Sequence, residues 1–351
     1  MALTSRRSVA AVVALIATAA HGARTSRSAW RSASSSRGVA FPQVASAASL
    51  TPSRARVAAY LRRPWPWRSD DEGDDAPGRV AGEAAGSGVL AQDSTPREYG
   101  PAAQTFMKQI CNVAFSRATV ALGAKSLGLG SLSFYDVEAH PGVRGYVALT
   151  LDDAPCRSGP ELSEMRNVLD ILDRYGAKAT FMTVGSYTTG HEDDLVDLLR
   201  RGHELANHGM HDRRYDQDSP EDFGAAIDAC TEKIMTLQRA AGAPEAVQWF
   251  RAPHGMYTKS MAEALTARGL TNVFCDTYAS CPIIQDGEFI GDLLAKNALD
   301  GSIILLHMPE RNFRGWCAVG LVRLLEGLRE RGLKAVTLSE LAELAKKSAP
   351  A

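Results

Sequence analysis

From Gly145 onward, short apolar runs alternate with stretches whose apolar residues recur at helical spacing, and this alternation predicts a chain of βα units. The run Tyr146 to Leu151 reads as a buried strand. A helix over Pro160 to Tyr175 follows, with Leu162, Met165, Val168, Leu169 and Leu172 on one stripe and Gly176 as its stop. Further strands are expected at Ala179 to Val184, His203 to Asn207, around Trp249, at Asn272 to Cys275, Ser302 to Leu306 and Lys334 to Val336. Helices are expected between them, at Glu192 to Arg201, Pro220 to Ala241, Ser260 to Arg268, Asp292 to Asn297, Gly320 to Arg331 and Leu338 to Lys347. Repeated βα units over about 200 residues imply a parallel sheet, closed or nearly closed into a barrel. In such barrels the site lies at the carboxyl ends of the strands. Within the flanking segment 98 to 144, the apolar stretch Phe106 to Leu129 is expected to form a helix packed outside the barrel.

Charge divides the chain into two regions. The total of 39 basic and 40 acidic residues is nearly neutral, yet Met1 to Arg68 holds eleven arginines, no lysine and no acid. The remainder therefore carries an acidic excess of twelve. Such a domain argues against a nucleic-acid partner, because phosphate binding needs clustered Lys and Arg. Arg6 and Arg7 before the apolar stretch Val9 to Ala20, with small residues near Ala23, have the layout of a signal peptide over residues 1–23. The apolar stretch is too short for a stable membrane span. Residues 24–97 read as a basic, transit-like leader followed by an acidic and Gly/Ala-rich linker. The expected address is the secretory pathway, extracellular or plastid by a bipartite leader. Six cysteines are compatible with disulfides, and Cys275 and Cys281 are the closest pair in sequence.

The chemistry collects at strand ends. Asp152 and Asp153 close the first run, where strand alternation breaks down and adjacent carboxylates can serve one pocket, one binding a metal and one moving protons. His208, His211 and Asp212 follow the third strand at a spacing that lets His208 share a metal with either neighbour. Arg251 precedes Ala252, Pro253, His254 and Gly255, and at a strand end it can hold a carboxylate in fixed geometry. Asp276 can orient a histidine or cap a turn, with Tyr278 just beyond it. His307 ends the run Ile303 to Leu306, and its chemistry suits a general acid near neutral pH.

This order of motifs, Asp152-Asp153, His208 to Asp212, Arg251 to Gly255, Asp276, then Leu305-Leu306-His307, resembles the NodB-homology polysaccharide deacetylases, the group that includes chitin and peptidoglycan deacetylases. The resemblance covers about Gly145 to Leu344 and implies a distorted (β/α)7-type barrel over 145–347. It also implies a metal-dependent hydrolase that removes acetyl groups from N-acetylated sugars. Carried over, Asp152 is the general base, His307 the general acid, Arg251 a brace for the base and Asp276 a brace for the acid. Asp153 and His208 become metal ligands. The third ligand falls on Asp212, where the family has histidine, with His211 one residue short of the spacing. Pro253, His254, Tyr278 and Leu305 are the candidates for substrate contact. The metal expected is zinc, with Co or Mn as alternatives, because two carboxylates and one imidazole make a harder donor set. Two alternatives remain: a metal-independent cyclic amide hydrolase on the same barrel, and a non-catalytic carbohydrate-binding protein. Cys281 and Pro282 stand near the place of the family's Asp-Trp pair.

Overall fold

The computed structural model describes residues 99–114, 117, 120 and 131–347. The expected signal peptide, leader and linker over 1–97 lie outside the described residues, as does most of the stretch from Phe115 to Gly130.

Eight strands form one parallel sheet: β1 (Tyr146–Ala154), β2 (Thr180–Thr183), β3 (Glu204–Asn207), β4 (Trp249–Phe250), β5 (Thr271–Asn272), β6 (Thr277–Tyr278), β7 (Ile303–His307) and β8 (Lys334–Val336). Their spatial order is β5-β4-β3-β2-β1-β7-β6, with β8 paired to the first residues of β1. The connecting helices are α1 (Pro101–Ala114), α2 (Met165–Tyr175), α3 (Glu192–Arg200), α4 (Pro220–Ala241), α5 (Lys259–Thr266), α6 (Gly287–Asn297), α7 (Trp316–Glu330) and α8 (Leu338–Lys347). The result is the curled parallel sheet with outer helices that the apolar pattern demands.

Where β5 and β6 do not pair, the chain before β1 lies in the gap. The Leu132 amide donates to Asn272 O at 3.1 Å, the Phe274 amide to Leu132 O at 2.7 Å and the Tyr135 amide to Gly301 O at 2.9 Å. Inside the curl, Ala148, Met182, Ala206, Ile303 and Val336 pack with Leu338, Leu341, Ala342 and Ala345 of α8.

Three helix starts differ clearly from the expected ones for tertiary reasons, and one strand is unexpected. α2 starts at Met165 rather than Pro160 because Ser163 is extended and bridges to Glu310. α6 and α7 start earlier than expected, at Gly287 and Trp316. Their glycines 287, 291 and 320 permit close helix approach; a Cβ on Gly287 would collide with the backbone carbonyl of Trp316, and one on Gly291 with that of Gly320. Finally, β6 has only two residues, too few to show a period.

Candidate active site

The carboxyl ends of β1, β3, β4, β6 and β7 meet at one pocket. β1 carries a register shift between Leu151 and Ala154 in its pairing with β2, and Asp153 takes the left-handed backbone at φ 63°. An irregularity of this kind breaks the two-residue alternation, so both aspartates address the same side. His208 Nε2 is 4.0 Å from Asp152 Oδ2 and 3.5 Å from Asp153 Oδ1. His208 Nδ1 meets Arg251 O at 2.8 Å; as the donor to that carbonyl, it turns Nε2 toward the carboxylates. Burial opposes charge on His208, but Asp152 first and then Asp153 hold its pKa above the usual value.

Arg251 is 2% exposed and every edge of its guanidinium is used. Nη1 donates to Asp152 Oδ1 at 2.6 Å and to Thr150 Oγ1 at 2.7 Å, Nε to Val273 O at 3.2 Å and Nη2 to Phe274 O at 3.0 Å. A buried arginine bonded this completely fixes one carboxylate oxygen and leaves Asp152 Oδ2 facing the pocket. Across the adjacent strand, Asp152 is the register partner of His307. Neighbouring strands lie about 4.8 Å apart, so the expected base and acid stand side by side.

The expected brace for the acid is corrected by register. Asp276 aligns with the start of β7: its carboxylate accepts from the Ile303 amide at 3.0 Å, Ser302 Oγ at 2.9 Å and Arg117 Nε at 2.8 Å. His307 lies four residues further along β7, roughly 13 Å at the usual strand rise. The partner of His307 is instead Cys281, whose Sγ is 3.0 Å from Nδ1. Cys281 is fully buried, and burial is the largest cause pushing the thiols of Cys111, Cys156, Cys230 and Cys275 up to about 12. For Cys281 the burial penalty is outweighed by a hydrogen bond from Cys317 and the charge of His307, which hold it well below the ordinary thiol range. Burial works against charge on His307, while Cys281 raises its pKa. Both shifts favour a thiolate facing an imidazolium. All six cysteines are free, so no bridge joins Cys275 to Cys281.

Of the expected substrate contacts, Leu305, like the acid His307, is a partly exposed position of β7 while Ile304 and Leu306 are buried, which places Leu305 and His307 on the cleft face. Tyr278 stands beside His307 with ring centroids 6.1 Å apart. Pro253 is buried in the turn 253–255, and His254, at φ 57°, extends Nε2 to Asp212 Oδ1 at 3.3 Å.

Sequence reasoning missed Arg314, in the loop after β7. Its guanidinium pairs with Asp153 Oδ2 through Nη1 and packs on the Phe313 ring at 4.5 Å from the centroid. The same ring receives the guanidinium of Arg157 at 3.9 Å, and Glu310 ties the two loops by accepting from the Arg157 amide at 2.9 Å and Ser158 Oγ at 3.0 Å. Nothing local marks this arginine, since a basic residue in a loop ending in glycine is ordinary. Backbone strain marks it afterwards. Non-glycine residues with positive φ, namely Asp153, His254, Ser280, Asn312 and Arg314, sit at or beyond the carboxyl ends of β1, β4, β6 and β7. Such conformations cost of order 1–3 kcal/mol each and persist where surroundings enforce them.

The donor set decides whether a divalent cation fits. Asp153 and His208 converge, but one oxygen of Asp153 carries the Arg314 guanidinium and Asp212 is turned to His254. Burial, then Asp153, pushes the Asp212 carboxyl up, whereas Asp153, despite burial, is held well below the carboxylate range by Arg314 first. Among the described residues no group of three His, Cys, Asp or Glu is arranged to hold a metal ion. As arranged, the expected ligands Asp153, His208 and Asp212 do not offer the three convergent donors that zinc, Co or Mn would need, because one Asp153 oxygen is taken by Arg314 and Asp212 is turned to His254. His211 lies exposed, with its backbone amide bonded to Tyr215 Oη at 2.8 Å.

Comparison with known proteins agrees with the sequence motifs. The family model described as polysaccharide deacetylase matches residues 140–273. A peptidoglycan-N-acetylglucosamine deacetylase of Bacillus cereus is 27% identical over 203 residues, covering 57% of this chain and 90% of that protein. A chitooligosaccharide deacetylase of Sinorhizobium fredii is 27% identical over 198 residues, 53% of this chain and 86% of that one. Among solved structures, the Xyl-CE4 domain of a multidomain xylanase from the hindgut metagenome of Trinervitermes trinervoides superposes with a TM-score of 0.50 at 26% identity, covering 58% of this chain and 91% of that domain. The peptidoglycan deacetylase PdaC from Bacillus subtilis shares the fold with a TM-score of 0.50 at 23% identity, over 59% and 94% of the two chains.

Proposed function

As the chain belongs to the polysaccharide deacetylase family, we propose that it hydrolyses the acetamide of an N-acetylated glycan with Asp152 as general base and His307 as general acid. The observation that carries this reading is the register pairing of Asp152 with His307, each held by its own buried partner, Arg251 and Cys281. Water held at Asp152 Oδ2 attacks the acetyl carbonyl and gives its proton to that oxygen. The C–N bond then breaks as His307 Nε2, left open because Nδ1 is engaged, delivers a proton to the leaving amine. Acetate and a free amino sugar result. Two positioned proton carriers contribute about 10²–10⁴-fold each.

The test is acetate release by the full chain from N-acetylglucosamine oligomers and peptidoglycan fragments, beside Asp152→Asn. Turnover in the wild type with a loss of at least about 10²-fold in the variant supports the assignment. Retention of more than a tenth of wild-type turnover by Asp152→Asn removes Asp152 as the base. Glycan binding without acetate release would make the protein a carbohydrate-binding module.

A further inference from the structure

We propose that Arg314 is the electrophile of this site, its guanidinium taking the acetyl carbonyl oxygen and carrying the charge that develops there. The inference rests on the deacetylase reading above. Arg314 lies against Asp153, beside the base, and its charge also reaches the Cys281–His307 pair, beside the acid. A carbonyl presented to water on Asp152 and to the proton of His307 leaves its oxygen to a third group, and Arg314 is the cation beside both. Only 13% of the Arg314 side chain is exposed, yet among the described residues its one hydrogen bond is to Asp153, and its Nε is buried without a partner. A buried, unsatisfied guanidinium N–H costs about 1–3 kcal/mol or more. Nη2, which makes no hydrogen bond among the described residues, is left to meet an incoming oxyanion, so the site holds a fixed positive charge before charge develops in the transition state.

The loop supports this assignment. Arg314 is fixed at φ 56° next to Asn312 at φ 65°, its guanidinium rests on Phe313, and the Glu310 amide and carbonyl close a turn onto Phe313 at 2.8 and 3.1 Å. An arginine used merely as a surface ion pair needs no such scaffold. Asp153, which would otherwise serve a divalent cation, serves here to aim the guanidinium. In the step itself the water oxygen bonds to the carbonyl carbon and its proton goes to Asp152, while the C=O π pair moves to the oxygen facing Arg314. As the C–N bond breaks, that pair re-forms the carbonyl and the amine takes its proton from His307.

The experiment compares full-length wild type, Arg314→Lys and Arg314→Met, each stripped with chelator, with and without added Zn²⁺, Co²⁺ or Mn²⁺. Acetate release from N-acetylglucosamine oligomers is measured, and acetate itself is titrated as an anionic probe by calorimetry. The expected result is turnover by metal-free wild type. Arg314→Met should lose about 10²–10³-fold in kcat, as for an oxyanion donor, with KM moved far less. Arg314→Lys should fall between the two, and acetate affinity should drop at least tenfold in Arg314→Met. Wild-type turnover only with added metal, or unchanged kcat and acetate affinity in Arg314→Met, overturns the inference while the deacetylase reading stands. No acetate release by wild type under any condition instead removes that reading, and the acetate titration then decides the role of Arg314 by itself. Thermal melts keep a folding defect distinct, and Arg314→Lys carries the comparison if Arg314→Met does not fold.

Discussion

Cys281→Ser removes an anion from His307 while leaving nearly the same shape in the pocket. The thiol sulfur lies 3.0 Å from Nδ1, and although burial disfavours the imidazolium, Cys281 raises the pKa of His307. A hydrogen bond to a charged group is worth about 1.5–3 kcal/mol. Loss of that bond and of the neighbouring negative charge should lower the pKa of His307 toward where burial alone would hold it. The sign follows directly. A raised pKa keeps the acid protonated to higher pH, so the alkaline limb of kcat/KM should move to lower pH in the variant. Above the new limb the rate should fall about tenfold or more. Stability should follow the same pair. Its contribution is present above the folded pKa of Cys281 and below that of His307, and Cys281→Ser should lose stability only inside that window. The assay is acetate release from N-acetylglucosamine oligomers across the pH range, with urea denaturation at matched pH. Cys281→Asp restores a negative charge at the position and should bring the limb back toward wild type. A folded Cys281→Ser protein whose alkaline limb does not move refutes the thiolate–imidazolium pairing.

Three further outcomes follow from the geometry. Asp276→Asn should cost about 1–3 kcal/mol in urea denaturation through its bonds to Arg117, Ser302 and Ile303, yet leave the alkaline limb in place; a shifted limb would restore Asp276 as the partner of the acid. Arg251→Lys keeps the charge but strands the carbonyls of Val273 and Phe274, so a loss of about 2–4 kcal/mol is expected, and a loss under about 1 would show that the four-way bonding carries little stability. Gly291→Ala should force α6 from α7 and lower stability by about 1–3 kcal/mol with kcat unchanged, read from thermal melts and steady-state kinetics.

The sequence by itself determined the parallel βα order, the strand ends as the place of the site, and the residues Asp152, His208, Arg251 and His307 that gather there. These were legible because periodicity and strand termini are local properties, and a polar residue that closes an apolar run is conspicuous. The barrel seam closed by Leu132 to Tyr135 was not, because it depends on pairing between distant segments. Nor were the partnerships of the titratable groups. Asp276 and His307 belong to adjacent strands, but only the register of β6 against β7 reveals that they are four residues out of step and that Cys281 stands where the brace was expected. Arg314 is further still from local reasoning, since its position comes from a strained turn on Phe313 tied to the loop after β1. Which charge meets which is set by register and loop closure, and these are fixed only when the whole sheet has curled and its strand ends have come together.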